Sequence, residues 1–400
     1  MTRRGFLQVA GVAAIADRTI DPVSQRASAF IRGYSAEGFH RTATDVDRAS
    51  ATRLLQFVRD AGAHGRLEPF QLSRVDPGTA FLQIGDRRLT GLPMFDAPFT
   101  DGDGIRGVIG GVDGADPIGW TRIAPNGEAQ LRRMRQASPH RAIVAVTAGG
   151  RPGLCPVNAQ YFNEPFGPPV LQLSSEHVDT VADAARRAAD VWVVAPAQRR
   201  RMSAQNVVVD IEGTRPDLPP LCVMTPRSGW HSNAAERGGG LACWLEVLGA
   251  AAAARPRPRR TIRLVASSGH ELGHLGLHDY LARRPSLARD SYVWLHFGAN
   301  IGATRGTVTA TCSDTMFEEL VARSFAEGSA PRINTAEPDR VAGEAATIRE
   351  QGGRFISFIG TNEWFHNPLD RWPDAVDVAD LSRFARASVA LAMTLANRLS

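Results

Sequence analysis

Two histidines and one glutamate lie close together at a junction between two predicted elements. A buried strand is predicted over residues 261–266 and a helix over residues 271–282, so the motif His270-Glu271-x-x-His274 stands where the strand ends. Open α/β sheets place their active sites at the ends of such strands. Histidines four residues apart share one face of a helix and can bind zinc, with the glutamate as general base. On its own, this motif predicts a zinc metallohydrolase.

A longer series of segments resembles the aminopeptidase Y family, which comprises co-catalytic zinc exopeptidases related to glutamate carboxypeptidase. The segments follow the family's order and are residues 206–213, 221–225, 260–266, 271–276 and 365–370, and the resemblance as a whole covers most of residues 40–398. This resemblance implies an α/β fold with a mixed, mostly parallel sheet flanked by helices, of the zinc exopeptidase and phosphorylase/hydrolase type. It also implies hydrolysis of an amide or peptide-like bond by metal-activated water.

Composition changes along the chain and indicates two structured units. Residues 97–200 form Gly- and Pro-rich loops between short strand-like runs, whereas strands and helices alternate after residue 206, as in a largely parallel sheet. The position and length of residues 97–200 resemble the β-rich protease-associated domain that many family members carry as an insert. We therefore predict a catalytic-type α/β domain over 26–96 and 201–400, interrupted by a protease-associated-like domain over 97–200.

The sequence departs from the family at the metal ligands. By the resemblance, the first histidine ligand corresponds to Thr225, the aspartate that supports it to Arg227, and the bridging aspartate to Glu236. Because a histidine is lost and an arginine gained, we expect one metal ion instead of two. Arg227 in turn is expected to bind a substrate carboxylate, since a guanidinium group matches that shape.

The other ligand positions keep groups that bind metals. By the same resemblance, the family's Glu-Glu pair corresponds to His270-Glu271, the aspartate of the next strand to His296, and the last histidine ligand to His366. A set of Glu236, Glu271, His296 and His366 suits one divalent metal, with zinc as the first choice and iron or manganese as alternatives. His270 is then expected to act as general base or as a further ligand.

Several alternatives stay open at this point. The short motif makes Glu271 the general base, whereas the resemblance makes it a ligand, which we favour because five segments support it. His296 could instead be a hydrogen-bonded core histidine, and Glu236 could form only a surface ion pair with the neighbouring Arg237. The protein could also be a catalytically inactive binding protein on the exopeptidase fold, or a mononuclear metalloenzyme of different chemistry.

Composition restricts the classes of function and partner. All 46 basic residues are arginines, which excludes the lysine chemistry of P-loops and Schiff bases. The net charge of +5 is dispersed, so we expect no nucleic-acid partner. The four cysteines show no C-x-x-C spacing, which excludes zinc-finger and thioredoxin sites. We expect the substrate to be a small peptide or an amide-bearing small molecule; its identity and the oligomeric state do not follow from the sequence.

The N-terminus predicts an export signal. Arg3-Arg4 precedes Phe6-Leu7 and an apolar run to Ala16, a pattern typical of twin-arginine signals, and residues 1–25 would form this leader. We therefore expect a periplasmic or secreted protein; without that signal the protein would be cytoplasmic. No stretch of about 18 apolar residues follows, so we expect no integral membrane segment.

Overall fold

The computed structural model describes residues 21–149, 151–325, 330–335, 337 and 341–399, so nearly all of the predicted leader lies outside the described residues. The helices are α1 (Pro22–Ala36), α2 (Asp45–Asp60), α3 (Glu128–Gln136), α4 (Val178–Arg186), α5 (Gly238–Ala253), α6 (Leu275–Ala282), α7 (Leu287–Asp290), α8 (Thr315–Ser324), α9 (Glu344–Glu350) and α10 (Val378–Asn397). The strands are β1 (Gly65–Pro77), β2 (Phe81–Ile84), β3 (Arg87–Pro93), β4 (Ile105–Gly111), β5 (Ile118–Ile123), β6 (Ala142–Thr147), β7 (Val170–Leu173), β8 (Asp190–Val194), β9 (Ala197–Ile211), β10 (Leu221–Pro226), β11 (Ile262–Ser267), β12 (Val293–Phe297), β13 (Val308–Cys312), β14 (Arg332–Thr335) and β15 (Phe355–Gly360).

Eight of these strands form one mixed sheet in the order β1-β9-β11-β10-β12-β15-β13-β14. The four central strands, from β11 to β15, run parallel to one another, so their carboxyl ends meet at one edge of the sheet. Antiparallel pairing adds β9 and β1 on one side and β13 on the other. The predicted α/β fold with a mixed, mostly parallel sheet is confirmed.

Helices cover both faces of the sheet because the central strands are apolar on both faces. Helices α1, α2, α5 and α10 pack on one face, in a core that includes Trp244 and Leu248. Helices α6 and α9 pack on the other face, where Tyr280, Trp294 and Ile348 are buried. The carboxyl edge of the sheet lies between these two layers and remains available for a site.

Helix α2 begins where the sequence predicts it. The side chain of Thr44 accepts a hydrogen bond of 3.3 Å from the backbone N–H of Asp47, and Leu54 and Val58 turn toward the core. A capped first turn and an apolar stripe together set this helix. Its position matters for function because Thr42 and Asp47, next to the cap, both reach the carboxyl edge of the sheet.

The other seven strands close into a barrel in the order β2-β3-β7-β6-β5-β4-β8. Its interior is apolar and fully buried, with residues such as Leu82, Val144 and Leu171 at its centre. The barrel extends from Phe81 to Val194 and takes in β2 and β3, which lie before the predicted boundary at residue 97. The sequence boundary at residue 97 followed the change to Gly- and Pro-rich loops, which begins after β3.

Helix α10 is the last element of the described chain. It is 20 residues long, and Leu381, Phe384 and Leu391 on one side pack into the core. Arg383 and Arg386 on its other side form ion pairs with Asp380 and Asp21. Within the described residues, no helix combines the length and the apolar character that a membrane crossing needs.

Candidate functional site

The segment between β11 and α6 is an irregular turn and not the helix that the sequence predicts. His270–Leu272 form one turn of 3-10 helix, and Gly273 and His274 then adopt positive φ angles of 75° and 60°. Helix α6 starts only at Leu275. The prediction of a continuous helix over residues 271–282 is therefore wrong at its start. His270 and His274 do not share a helical face, and the geometry assumed for a zincin motif is absent here.

A loop from the barrel unit lies directly on this turn. The backbone N–H of Ala159 donates a 2.8 Å hydrogen bond to the carbonyl oxygen of Glu271. A Cβ atom at Gly273 would stand 2.6 Å from the carbonyl oxygen of Gln160, so only glycine fits at this contact. The candidate site is consequently built by both units, with the barrel loop covering the carboxyl edge of the sheet.

Glu271 is buried in a set of hydrogen bonds that holds the junction together. Its Oε1 atom accepts from the backbone N–H of Thr42 at 2.8 Å and from the Thr42 hydroxyl at 2.7 Å, and its Oε2 atom accepts from the Ser228 hydroxyl at 2.7 Å. Burial raises the pKa of this carboxyl, while the Thr42 and Ser228 hydrogen bonds oppose the rise. Both oxygens thus serve the local structure, which neither the ligand nor the base hypothesis foresaw.

Glu236 and His366 are brought together as the resemblance implies, but an arginine contacts the same glutamate. His366 Nε2 lies 3.5 Å from Glu236 Oε1, and Arg237 Nη2 lies 2.7 Å from the same oxygen. All three side chains are fully buried. The pair of Glu236 with Arg237 is therefore an interior ion pair and not the surface pair considered from the sequence.

His366 and Glu236 are fixed from the barrel side and from the following loop. His366 Nδ1 lies 2.7 Å from the carbonyl oxygen of Pro156, in the barrel loop. The carboxylate of Asp370 accepts hydrogen bonds from the backbone N–H groups of Ala235 and Glu236 at 2.8 and 2.9 Å. Burial raises the pKa of Asp370 to about 7, and the charge of Glu236 acts in the same direction.

A second cluster joins His270 and His296 through Glu344, a residue that the sequence did not single out. His296 Nε2 lies 3.4 Å from Glu344 Oε2, and His270 Nδ1 lies 3.7 Å from Glu344 Oε1. The hydroxyl of Ser267 donates to Glu344 Oε1 at 2.7 Å, and His296 Nδ1 is 2.9 Å from Ser357 Oγ on the neighbouring strand. Glu344 opens the short helix α9, far from the motif in sequence, and no local pattern marks it.

The electrostatics of this second cluster favour neutral imidazole groups at His270 and His274 and an ionised carboxylate at Glu344. Burial lowers the pKa of His270 to about 4, and the positive charge of Arg237 adds to that effect. Burial likewise lowers the pKa of His274 to about 3. Burial alone would raise the pKa of Glu344, but its interactions with His270 and His296 hold that pKa well below its usual value.

Arg227 lies in the interior and not in the cleft where a substrate carboxylate would bind. Its guanidinium group is fully buried, with Nη1 2.8 Å from Asp47 Oδ1 and 2.8 Å from the Asp47 carbonyl oxygen. Nη2 donates to the carbonyl oxygen of Gln205. These contacts tie helix α2 to the middle of β9 and to the end of β10, which gives Arg227 a structural role in place of the expected substrate contact.

The four predicted metal ligands do not fit a single ion. Glu236 and His366 belong to the cluster with Arg237, His296 belongs to the cluster with Glu344, and Glu271 is occupied by Thr42 and Ser228. In the part of the chain that the structure describes, no group of three or more His, Cys, Asp or Glu side chains is arranged to hold a metal. Glu236 Oε1, on the residue expected to bridge, already faces a guanidinium cation.

An open cleft of about 890 Å³ lies between the barrel and the carboxyl edge of the sheet. His270, His274 and His296 line it on the sheet side. The side chains of Asn126, Asn158, Gln160, Asn300, Asn362 and Asn367 also line it. Arg151 and Glu363, also in the lining, bond to each other at 2.6 Å, and Glu128 adds a carboxyl group. The cleft thus combines hydrogen-bonding groups with a larger share of apolar surface, and the amides of Asn158, Asn300, Asn362 and Asn367 also make hydrogen bonds within the protein.

The whole fold is similar to solved structures of aminopeptidases. An aminopeptidase from Aneurinibacillus sp. strain AM-1 aligns over 94% of each chain, with a TM-score of 0.71 and 14% identity. A zinc aminopeptidase from Bacillus subtilis aligns over 93% of this chain and 94% of its own, with a TM-score of 0.73 and 15% identity. A peptidase M28 precursor from Shewanella amazonensis SB2B aligns over 94% of this chain and 96% of its own, with a TM-score of 0.75 and 14% identity.

These similarities establish the fold, and they confirm the zinc exopeptidase-like architecture that the sequence predicts. Neither a protein-family model nor a curated protein sequence matches the chain. At 14–15% identity, the function must be argued from this chain's own residues.

Proposed function

We propose that this protein binds a short peptide or another small amide-bearing molecule in the cleft between the barrel and the sheet. The observation that carries the proposal is the contrast between two sets of residues. The side chains of Glu236 and Glu271 are engaged by internal partners, whereas the cleft beside them is open and presents the amide groups of Asn126 and Gln160, which make no side-chain hydrogen bond among the described residues. Binding a ligand needs only the open cleft and its hydrogen-bonding groups, and not the side chains that internal contacts already occupy.

The chemistry of the cleft lining favours an uncharged ligand rich in amides. Primary amide side chains offer both donors and acceptors, which match the N–H and C=O groups of a peptide. His270 and His274 are neutral near pH 7 because burial lowers their pKa values to about 4 and about 3. Arg151 and Glu363 neutralise each other at the rim. An anionic ligand would find no unpaired cation among them. Glu128 also lines the cleft without an ion-pair partner among the described residues, but burial raises the pKa of this carboxyl and so favours its neutral form.

A calorimetric screen of short uncharged peptides and N-acyl amino-acid amides tests this proposal. We expect one or more to bind the wild-type protein, and His270→Ala to weaken that binding at least tenfold. His278→Ala is the matched control, because His278 is a nearby but exposed histidine that does not line the described cleft. If no compound binds, or if both variants lose affinity equally, the proposed ligand site is wrong.

A second candidate function is hydrolysis of an amide bond with one divalent metal, zinc first and iron or manganese as alternatives. The observation that favours it is a set of three buried atoms, His270 Nδ1, His296 Nε2 and Glu344 Oε2, which lack hydrogen-bond partners among the described residues. Two imidazole groups and a carboxylate can together bind such a metal. The three side chains would have to close around the ion, because they do not form a metal-holding group in this structure.

Metal analysis combined with an activity screen separates the two candidates. The hydrolase candidate predicts one metal per chain, lost in Glu344→Gln, together with cleavage of aminoacyl anilides or related amides. The binding candidate predicts ligand affinity that is the same with and without a chelator, and no cleavage after metal is added. Stoichiometric metal with turnover would replace the binding proposal by the hydrolase.

A further inference from the structure

We infer that the guanidinium group of Arg237 is a built-in cation that takes the place of a metal between Glu236 and His366. Removing that group should therefore create a zinc site that the wild-type protein lacks. The inference concerns the cluster behind the cleft and does not depend on which ligand the cleft binds.

Two polar groups converge on one carboxylate oxygen at this position. Arg237 Nη2 lies 2.7 Å and His366 Nε2 lies 3.5 Å from Glu236 Oε1. None of these three atoms has a partner of hydrogen-bond geometry among the described residues. The Glu236 oxygen and the His366 nitrogen face the same space and do not form a hydrogen bond with each other. Carboxylate oxygens and imidazole nitrogens arranged in this way are suitable metal ligands. Here the guanidinium group supplies the positive charge instead.

The backbone and the glycine run after Arg237 fix the position of this cation. Arg237 Nε donates a 2.8 Å hydrogen bond to the carbonyl oxygen of Ser228. Arg237 caps helix α5, whose first residues press against neighbouring backbone: a Cβ atom at Gly239 would stand 1.8 Å from the carbonyl oxygen of Ile301. Because the helix start cannot shift, the guanidinium group cannot easily withdraw to admit an ion.

The charge of Arg237 acts on both halves of the site. Glu236 is a fully buried anion and requires a counter-charge, which Arg237 provides. The same charge opposes protonation of His366 and of His270, adding to the effect of burial. A divalent ion placed at Glu236 would be repelled by a cation already in contact with its ligand. The cluster is electrostatically complete without a metal.

The test compares Arg237→Met with Arg237→Lys in the full chain. Methionine keeps much of the volume but removes the charge, whereas lysine keeps the charge. We expect zinc in excess to raise the melting temperature of Arg237→Met, although Glu236 and His366 supply only two protein donors and the bound ion should exchange with free zinc. We expect no such shift in the wild type and Arg237→Lys from this site; zinc held by His270, His296 and Glu344 would shift all three proteins alike. Stabilisation grows with the ratio of free zinc to the dissociation constant, so the shift should follow zinc concentration.

Two further variants keep the inference falsifiable. Arg135→Met is the matched control, because it removes another buried arginine and leaves Asp96 without its partner, and it should not acquire zinc. Glu236→Gln/Arg237→Met should be more stable than Arg237→Met without metal and should bind no zinc, which tests the pairing even if the single variant folds poorly. The inference is overturned if wild-type protein holds zinc that Glu236→Gln loses, or if folded Arg237→Met binds no zinc. It is also overturned if Glu236→Gln/Arg237→Met is no more stable than Arg237→Met.

Discussion

Replacing Glu271 with alanine tests whether this glutamate serves the fold or a metal. The change leaves three buried donors without an acceptor: the N–H and hydroxyl of Thr42 and the hydroxyl of Ser228. Each unsatisfied donor costs about 1–3 kcal/mol. The Thr42 hydroxyl can turn to Ser228 Oγ, which is 3.1 Å away, and this offsets part of the loss. We therefore expect the free energy of unfolding to fall by about 3 kcal/mol.

Urea unfolding, monitored by tryptophan fluorescence, measures this loss. Glu271→Gln should lose less than Glu271→Ala, because the amide oxygen can still accept from Thr42. Glu246→Ala is the control: Glu246 pairs at the surface with Arg26, whose side chain is 59% exposed, and the loss of this pair should cost about 1 kcal/mol. The reasoning is refuted if the loss in Glu271→Ala disappears when a chelator is present for both proteins, since the wild-type stability would then depend on a bound metal.

Two other predictions concern the buried charges around helix α2. Arg227→Met should lower the free energy of unfolding by about 3–5 kcal/mol because it leaves Asp47 buried and unpaired. In a double-mutant cycle measured by urea unfolding, adding Asp47→Asn should restore part of that loss. Losses that simply add would contradict the pairing. Burial lowers the pKa of His40 to about 3, and the positive charges of Arg227 and Arg53 lower this pKa further. The hydrogen bond to the Tyr34 carbonyl oxygen and the nearby carboxylate of Glu37 act in the opposite direction. The neutral form is thus favoured in the fold, so stability is complete above the unfolded pKa of about 6.5 and falls with pH below it. Between pH 7 and pH 5 the wild type should lose about 2 kcal/mol more than His40→Gln, and parallel pH profiles would contradict this.

Much of the fold was accessible from the sequence because its signals are local. The cap at Thr44, the alternation of strands and helices after residue 206 and the apolar stripe of α10 each specify an element through short-range chemistry. The start of α6 was not accessible in this way. Gly273 and His274 adopt left-handed backbone angles because the barrel loop presses on the turn, and that contact joins residues more than a hundred positions apart.

The candidate site was harder to predict because its chemistry depends on which side chains contact one another in the fold, and not only on the residue types present. Glu236 and His366 do meet, but the neighbour Arg237 turns into the same space, which a one-residue spacing does not reveal. Glu344 has no motif around it and approaches His270 only through the tertiary fold. Composition also cannot show whether an arginine is buried, so the substrate role expected for Arg227 rested on its shape alone.

Diffraction from wild-type crystals grown with zinc, recorded at the zinc absorption edge, tests the central claim most directly. The account predicts no anomalous peak between Glu236 and His366, with the Arg237 guanidinium group within contact distance of Glu236 as it is here. A peak about 2 Å from the Glu236 carboxylate and from His366 Nε2, with Arg237 displaced, would contradict it.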